Sequence, residues 1–136
     1  MTALTADRDT PRREGVDAAY PVKAGVRIFV GAIVAIDTAT GLATKGATST
    51  TLKAVGIAQE QVDNTAGADG DAMVPVRRGT YRLANSSGAD QLTLKDVNGT
   101  AYIVDDQTVA KTDAGGTRSV AGTVVDVDTV GVWIKF

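Results

Sequence analysis

The stretch Val120-Ala121-Gly122-Thr123-Val124-Val125-Asp126-Val127-Asp128-Thr129-Val130-Gly131-Val132-Trp133-Ile134-Lys135-Phe136 decides the fold class. Its second half alternates, with Val132, Ile134 and Phe136 on one side and Trp133 and Lys135 on the other. That period of two belongs to a strand with one buried face. Val125 and Val127 share a parity in the first half, and Asp128-Thr129 is a turn signal. The reading is a terminal antiparallel hairpin.

Composition extends that reading to the whole chain. Among 136 residues there are 18 Val, 6 Ile and 18 Thr, against 6 Leu and 2 Glu. β-Branched side chains suit pleated strands, whereas the scarce residues are those of an amphipathic helix. Fifteen glycines supply turns. Strands are expected over Val26–Val30 and Ala32–Ile36 on either side of Gly31, and over Lys53–Gln59 with Val55 and Ile57 on one face. Met73–Arg78 reads as a strand that Pro75 confines to an edge or a bulge. Gln91–Lys95 and Ala101–Val104 read as short strands around the turn signal Asn98-Gly99. Asp63–Asp71 and Asp105–Gly116 read as polar connections. The expected fold is all-β, a small β-barrel or sandwich of about eight short strands. Its core is expected to contain Ile28, Val30, Val55, Ile57, Val125, Val127, Ile134 and Phe136.

The same composition weighs against several kinds of chemistry. The chain has no cysteine and no histidine, so thiolate nucleophiles, thiolate metal sites and the commonest general base are missing. No catalytic residue, cofactor site or metal site is expected. Asp105-Asp106 and the pair Asp126 and Asp128 could offer oxygens to calcium, but no calcium-loop pattern surrounds them and they read as solvated aspartates. Gly67-Ala68-Asp69-Gly70-Asp71 is not followed by a lysine at phosphate-loop spacing and reads as a hairpin loop. The net charge is −2 and the isoelectric point near 5.0, which opposes a nucleic-acid partner. Arg77 and Arg78 point to opposite faces of one strand and do not form a patch with Arg82. The longest strongly apolar run, Val26–Ile36, is interrupted by Arg27 and Gly31 and is short of the about 20 residues of a spanning helix, so no membrane partner is expected. The opening Met1-Thr2-Ala3-Leu4-Thr5 does not lead a charged stretch into an apolar one, so no secretory signal is expected.

The beginning of the chain differs from the rest. Residues 1–22 are polar, mixed in charge and broken by Pro11, and they show no helical or strand period. They read either as a frayed terminus or, in the sharper reading, as an extended N-terminal arm that orders on a partner, followed by a β-rich domain over residues 23–136. Leu4 and Tyr20 would be the arm's apolar anchors, and Arg8, Arg12 and Arg13 its charged ones.

Several short segments in order carry a resemblance. They are the arm, Gly25-Val26-Arg27-Ile28-Phe29-Val30-Gly31-Ala32-Ile33-Val34, Asp37-Thr38-Ala39-Thr40-Gly41-Leu42, Val55-Gly56-Ile57-Ala58, Val62-Asp63-Asn64-Thr65-Ala66-Gly67, Ala121–Asp128 and Gly131-Val132-Trp133-Ile134. In this order they resemble the capsid cement, or head decoration, proteins of tailed bacteriophages. The resemblance implies a structural virion protein without catalytic residues. It implies binding to the major capsid protein on the outside of an icosahedral shell, as a homotrimer at threefold and quasi-threefold positions, and stabilisation of that shell against internal DNA pressure. Localisation would be the capsid exterior, after assembly in the host cytoplasm, where a cysteine-free chain is at no disadvantage. The alternative from the residues is a small β-barrel binding module for nucleic acid or carbohydrate, opposed by the sparse aromatic residues and acidic balance.

Overall fold

The computed structural model describes residues 2–13 and 15–136. The strands are β1 (Asp17–Pro21), β2 (Arg27–Ile28), β3 (Ile33–Asp37), β4 (Leu42–Lys45), β5 (Leu52–Ala58), β6 (Val62–Asp63), β7 (Met73–Arg77), β8 (Thr80–Asn85), β9 (Thr100–Ile103), β10 (Thr108–Ala110), β11 (Val120–Val127) and β12 (Val132–Lys135). Two single turns of 3-10 helix, Gly88–Asp90 and Leu94–Asp96, stand between β8 and β9. The chain is all-β, as its β-branched composition requires.

The strands form two principal units. β8 to β12 make a closed five-stranded barrel in the order β10-β8-β12-β11-β9, with β10 returning to β9. All its neighbours are antiparallel except β10 and β8, which run parallel. The other unit is a sheet in the order β1-β7-β5-β3-β4, with the ribbon β2-β6 beside it. Its outer strands approach each other at one end, where Val22 bridges Ala43 and the Lys23 N–H donates to the Ala43 carbonyl at 2.9 Å.

Two apolar clusters follow from this layering. One fills the barrel and joins it to the sheet through Ile33, Ala35, Leu52 and Ile57. The other lies on the sheet's opposite face, where Val22, Val34, Val74 and Val76 meet Ile28 and Val62 of the ribbon. Two buried polar side chains hold connections in place. The Ser119 hydroxyl donates to the Ser49 carbonyl at 2.6 Å and accepts from the Leu52 N–H at 3.1 Å, tying barrel to sheet. The Asn64 amide donates to the carbonyls of Val22, Lys23 and Ala68, closing the 63–71 loop.

Bulges account for most departures from the expected pattern. β11 carries two, so its inward residues are Ala121, Val124 and Val127 rather than every second one. Val125 is the extra residue at the second bulge and is exposed, not a core residue. In β5 the register shifts between Val34↔Gly56 and Ala35↔Ala54. Val55 and Ile57 are therefore both buried but on opposite faces of the sheet. Each bulge adds one residue to one strand and reverses the parity beyond it.

Other expectations fail for equally local reasons. Val26–Val30 shortens to β2, because the Ala32 N–H returns to the Phe29 carbonyl at 3.2 Å and Gly31 takes a φ of +83°. This four-residue turn places Val30 outside the core. Gln91–Lys95 is not a strand. Thr93 and Asp96 form a capping box around the second 3-10 turn, which leads through Asn98-Gly99 into β9. Asp105–Gly116 conceals β10, whose Val109 and Ala110 are fully buried.

Pro75 does not mark an edge, since β7 lies between β1 and β5. It is opposite Ala19, whereas the bonded contacts from Arg78 N–H to Val16 and from Val22 N–H to Ala72 set the alternate positions as the hydrogen-bonded ones. Towards β5 it lies one residue past the last pair, Ala58↔Val76, and its carbonyl still accepts from the Gln59 N–H at 2.9 Å. The missing donor thus falls at the end of a ladder.

Candidate functional site

The segment expected to act as an arm divides in two. Residues 2–13 contain neither strand nor helix and are exposed throughout. Leu4, 72% exposed, lies on this part with Arg8, Arg12 and Arg13. Asp17–Pro21 instead forms β1, so sheet pairing begins before residue 22. The reason is the run Asp17-Ala18-Ala19-Tyr20, which has small residues that fit beside β7 and one large apolar ring. Tyr20 stands opposite Val74 and packs on the sheet-side cluster. It anchors the body rather than the arm, and the structure does not bring it together with Leu4 and the three arginines.

β1 is an outer strand whose pairing is well fixed. The Arg77 guanidinium holds the Asp17 carboxylate through Nε at 2.8 Å and a second nitrogen at 3.3 Å. This hydrogen-bonded contact lowers the Asp17 pKa from its ordinary value. With alternate residues bonded to β7, the peptide groups of Asp17 and Ala19 face away from it, towards the sheet's edge. An exposed segment without strand or helix, residues 2–13, thus precedes a strand with main-chain groups turned away from its partner. That arrangement can add a strand of another chain without a special side-chain sequence.

Of the aspartates singled out in the sequence, Asp105, Asp126 and Asp128 accept bonds from nearby backbone N–H groups. Asp105 Oδ1 accepts from the Gln107 and Thr108 N–H groups, and Asp126 Oδ1 from the Val127 N–H. No group of three or more potential metal ligands is found among the described residues. Arg77 is engaged with Asp17, and the Arg82 guanidinium lies 5.7 Å from the centre of the Trp133 ring, so these two arginines point to different partners.

Asp128 organises the terminal hairpin. Its Oδ1 accepts from Val130 and Gly131 N–H at 2.8 and 2.9 Å, and its Oδ2 from the Trp133 indole N–H at 2.9 Å. The indole bond first, then the two backbone bonds, hold its pKa below the ordinary 3.8. A depressed carboxylate stabilises the fold above its unfolded pKa, and that contribution is lost as pH falls through its folded value. The fluorescence of Trp133, the sole tryptophan, is expected to titrate with a midpoint below 3.8. Asp128→Asn should abolish that step. A midpoint at or above the ordinary value would show that the indole bond does not hold in solution.

Two apolar surface features had escaped the sequence reading. One is the turn carrying Phe29 and Val30, which are 51% and 64% exposed, with the Arg27 guanidinium 5.1 Å from the Phe29 ring centre. The other is an open cleft of about 700 Å³ bordered by Leu92, Leu94, Lys95, Lys111 and Val127. Gly31 and the capping pattern Thr93-Leu94-Lys95-Asp96 were their available signals.

No protein-family model matches the chain, and neither a curated protein nor a solved structure matches it.

Proposed function

We propose that the chain is a capsid cement protein of a tailed bacteriophage, binding the major capsid protein on the outside of an icosahedral shell as a trimer at threefold and quasi-threefold positions. The observation that carries this reading is the exposed segment 2–13 running into the outer strand β1. A cement protein needs a stable body, an extended segment that reaches neighbouring subunits, and no reaction centre. Here the body is a barrel and sheet sharing a core, and the segment carries Leu4, Arg8, Arg12 and Arg13 on its surface. Main-chain pairing with a capsid strand and charge-assisted bonds from the arginines to capsid carboxylates would supply the affinity. Repetition around the shell multiplies weak contacts.

Ordering each arm residue costs about 1–2 kcal/mol of backbone entropy, which the shell contact must offset. Deleting residues 2–13 should therefore leave the melting temperature within about 1 °C, because neither apolar cluster draws on them. It should weaken binding to expanded capsids by at least about tenfold, or about 1.4 kcal/mol per site. Binding of the truncated chain with unaltered affinity would refute the reading, as would failure of the complete chain to bind expanded or unexpanded capsids.

A further inference from the structure

β1 and the first half of β7 run past the end of their neighbour. β7 meets β5 through the pairs Ile57↔Arg77 and Ala58↔Val76, whereas β1 pairs with β7 from Asp17↔Arg77 to Pro21↔Met73. One face of this two-stranded extension carries Tyr20 and Val74 into the sheet-side cluster. The other carries Ala19 and Pro21 from β1 and Met73 and Pro75 from β7, and none of these four belongs to either apolar cluster. Met73 is 53% exposed, Ala19 is exposed, and the two prolines are half-buried. We propose, on the basis of the capsid reading above, that this apolar strip is the face of the body that meets the major capsid protein, beside the docked arm.

The strip is suited to a dry contact. Pro21 and Pro75 have no N–H, so covering them strips no donor of its water. Ala19, Pro21 and Pro75 have no rotamer freedom to lose, and the unbranched Met73 can adapt to the surface it meets. The four side chains are uncharged. The Asp17–Arg77 ion pair bounds the strip at the arm end, with the guanidinium Nε 2.8 Å from the carboxylate. At the other end a Cβ at Gly70 would stand 3.7 Å from Pro21 Cβ, so the residue bordering the strip there places no side chain over it.

The shell is the occupant because of where the strip lies and how short the arm is. Segment 2–13 leads towards β1, so a docked arm brings β1 to the shell. A specific interface takes about 20–30 residues from each side, and segment 2–13 supplies twelve. The body supplies the remainder, and the strip is apolar surface on the strand that the arm enters. The complementary surface on the capsid protein is apolar and uncharged.

The test is binding of the full chain to expanded capsids. Met73→Glu should raise the dissociation constant at least about tenfold, and Met73→Leu should leave it within about twofold. Val130→Glu puts the same charge on an exposed side chain between β11 and β12, outside the strip, and should also leave binding within about twofold. Melting temperature is the control for folding of each variant. Peroxide footprinting needs no substitution. Met73 sulfoxide should form in the free chain and at least about fivefold more slowly on capsids, read by mass spectrometry of the peptide that contains residue 73. Unaltered binding by Met73→Glu, equal weakening by Val130→Glu, or equal oxidation of Met73 free and bound would each overturn the strip and leave the capsid reading in place. An unsubstituted chain that fails to bind capsids overturns the capsid reading itself, and the strip with it.

Discussion

Ile134→Ala is expected to lower the unfolding free energy by about 2–5 kcal/mol. Ile134 is fully buried in the barrel cluster and stands opposite Val124 on one side and Tyr81 on the other. Its strand is hydrogen-bonded to β11 and β8, so the walls cannot collapse onto the space that the missing carbons leave. Since domains of this kind are stable by about 5–15 kcal/mol, the loss is a substantial fraction of the whole. It should be read as a lower urea midpoint at unchanged slope. A change below about 0.5 kcal/mol would place the side chain outside the core. Val125→Ala is the internal comparison. Its side chain is 43% exposed at a bulge, and its loss should stay within about 0.5 kcal/mol.

Gly122→Ala should be nearly as damaging although it adds a single methyl group. A Cβ at this position would lie 2.3 Å from the Lys135 carbonyl oxygen and 2.9 Å from Ile134 Cγ2. The nearer atom is main chain and cannot rotate away, so β11 and β12 must separate where they pair. The expected loss is about 3 kcal/mol, the upper part of the usual range for overpacking. Gly88→Ala separates crowding from backbone strain. Gly88 has a φ of +63° but open space around it, so only the left-handed backbone penalty of about 1–2 kcal/mol applies. Equal losses at the two glycines would show that close packing of β11 on β12 is not what excludes a side chain at Gly122.

How far the residues announce the structure can be judged at particular elements. β12 was legible because Val132, Trp133, Ile134 and Lys135 alternate without interruption, and the structure buries them in that alternation. The turn at Asp128 was legible for the same reason that it forms, a carboxylate ahead of two backbone donors. β11 and β5 were legible as strands but not in their facing, because a bulge leaves no mark in a list of valines. β10 was hidden because Thr108-Val109-Ala110 is too short for a period, and its burial comes from closing the barrel between β9 and β8. Of the expected arm, Leu4, Arg8, Arg12 and Arg13 stand on an exposed segment, as a polar stretch with one large apolar residue implies. Tyr20 belongs to a strand instead, which its aromatic character also permitted. The cleft could not be foreseen, since its two walls come from residues 88–95 and from Lys111 and Val127.

The wiring of the barrel sets the order in which it can be completed during synthesis. β8 is the first of its strands to leave the ribosome, and its antiparallel neighbour is β12, through pairs that include Thr80 with Lys135. At about 5–20 residues per second, β8 waits several seconds for that neighbour. In the interval its other contact in the barrel is the short parallel rung to β10, itself made only after β9 has been passed. Closure of the barrel thus waits for β12, and Leu83 and Tyr81 lack their covering strand until then. Refolding should be slow for the chain's size for the same reason, because the decisive pairing joins segments far apart in sequence.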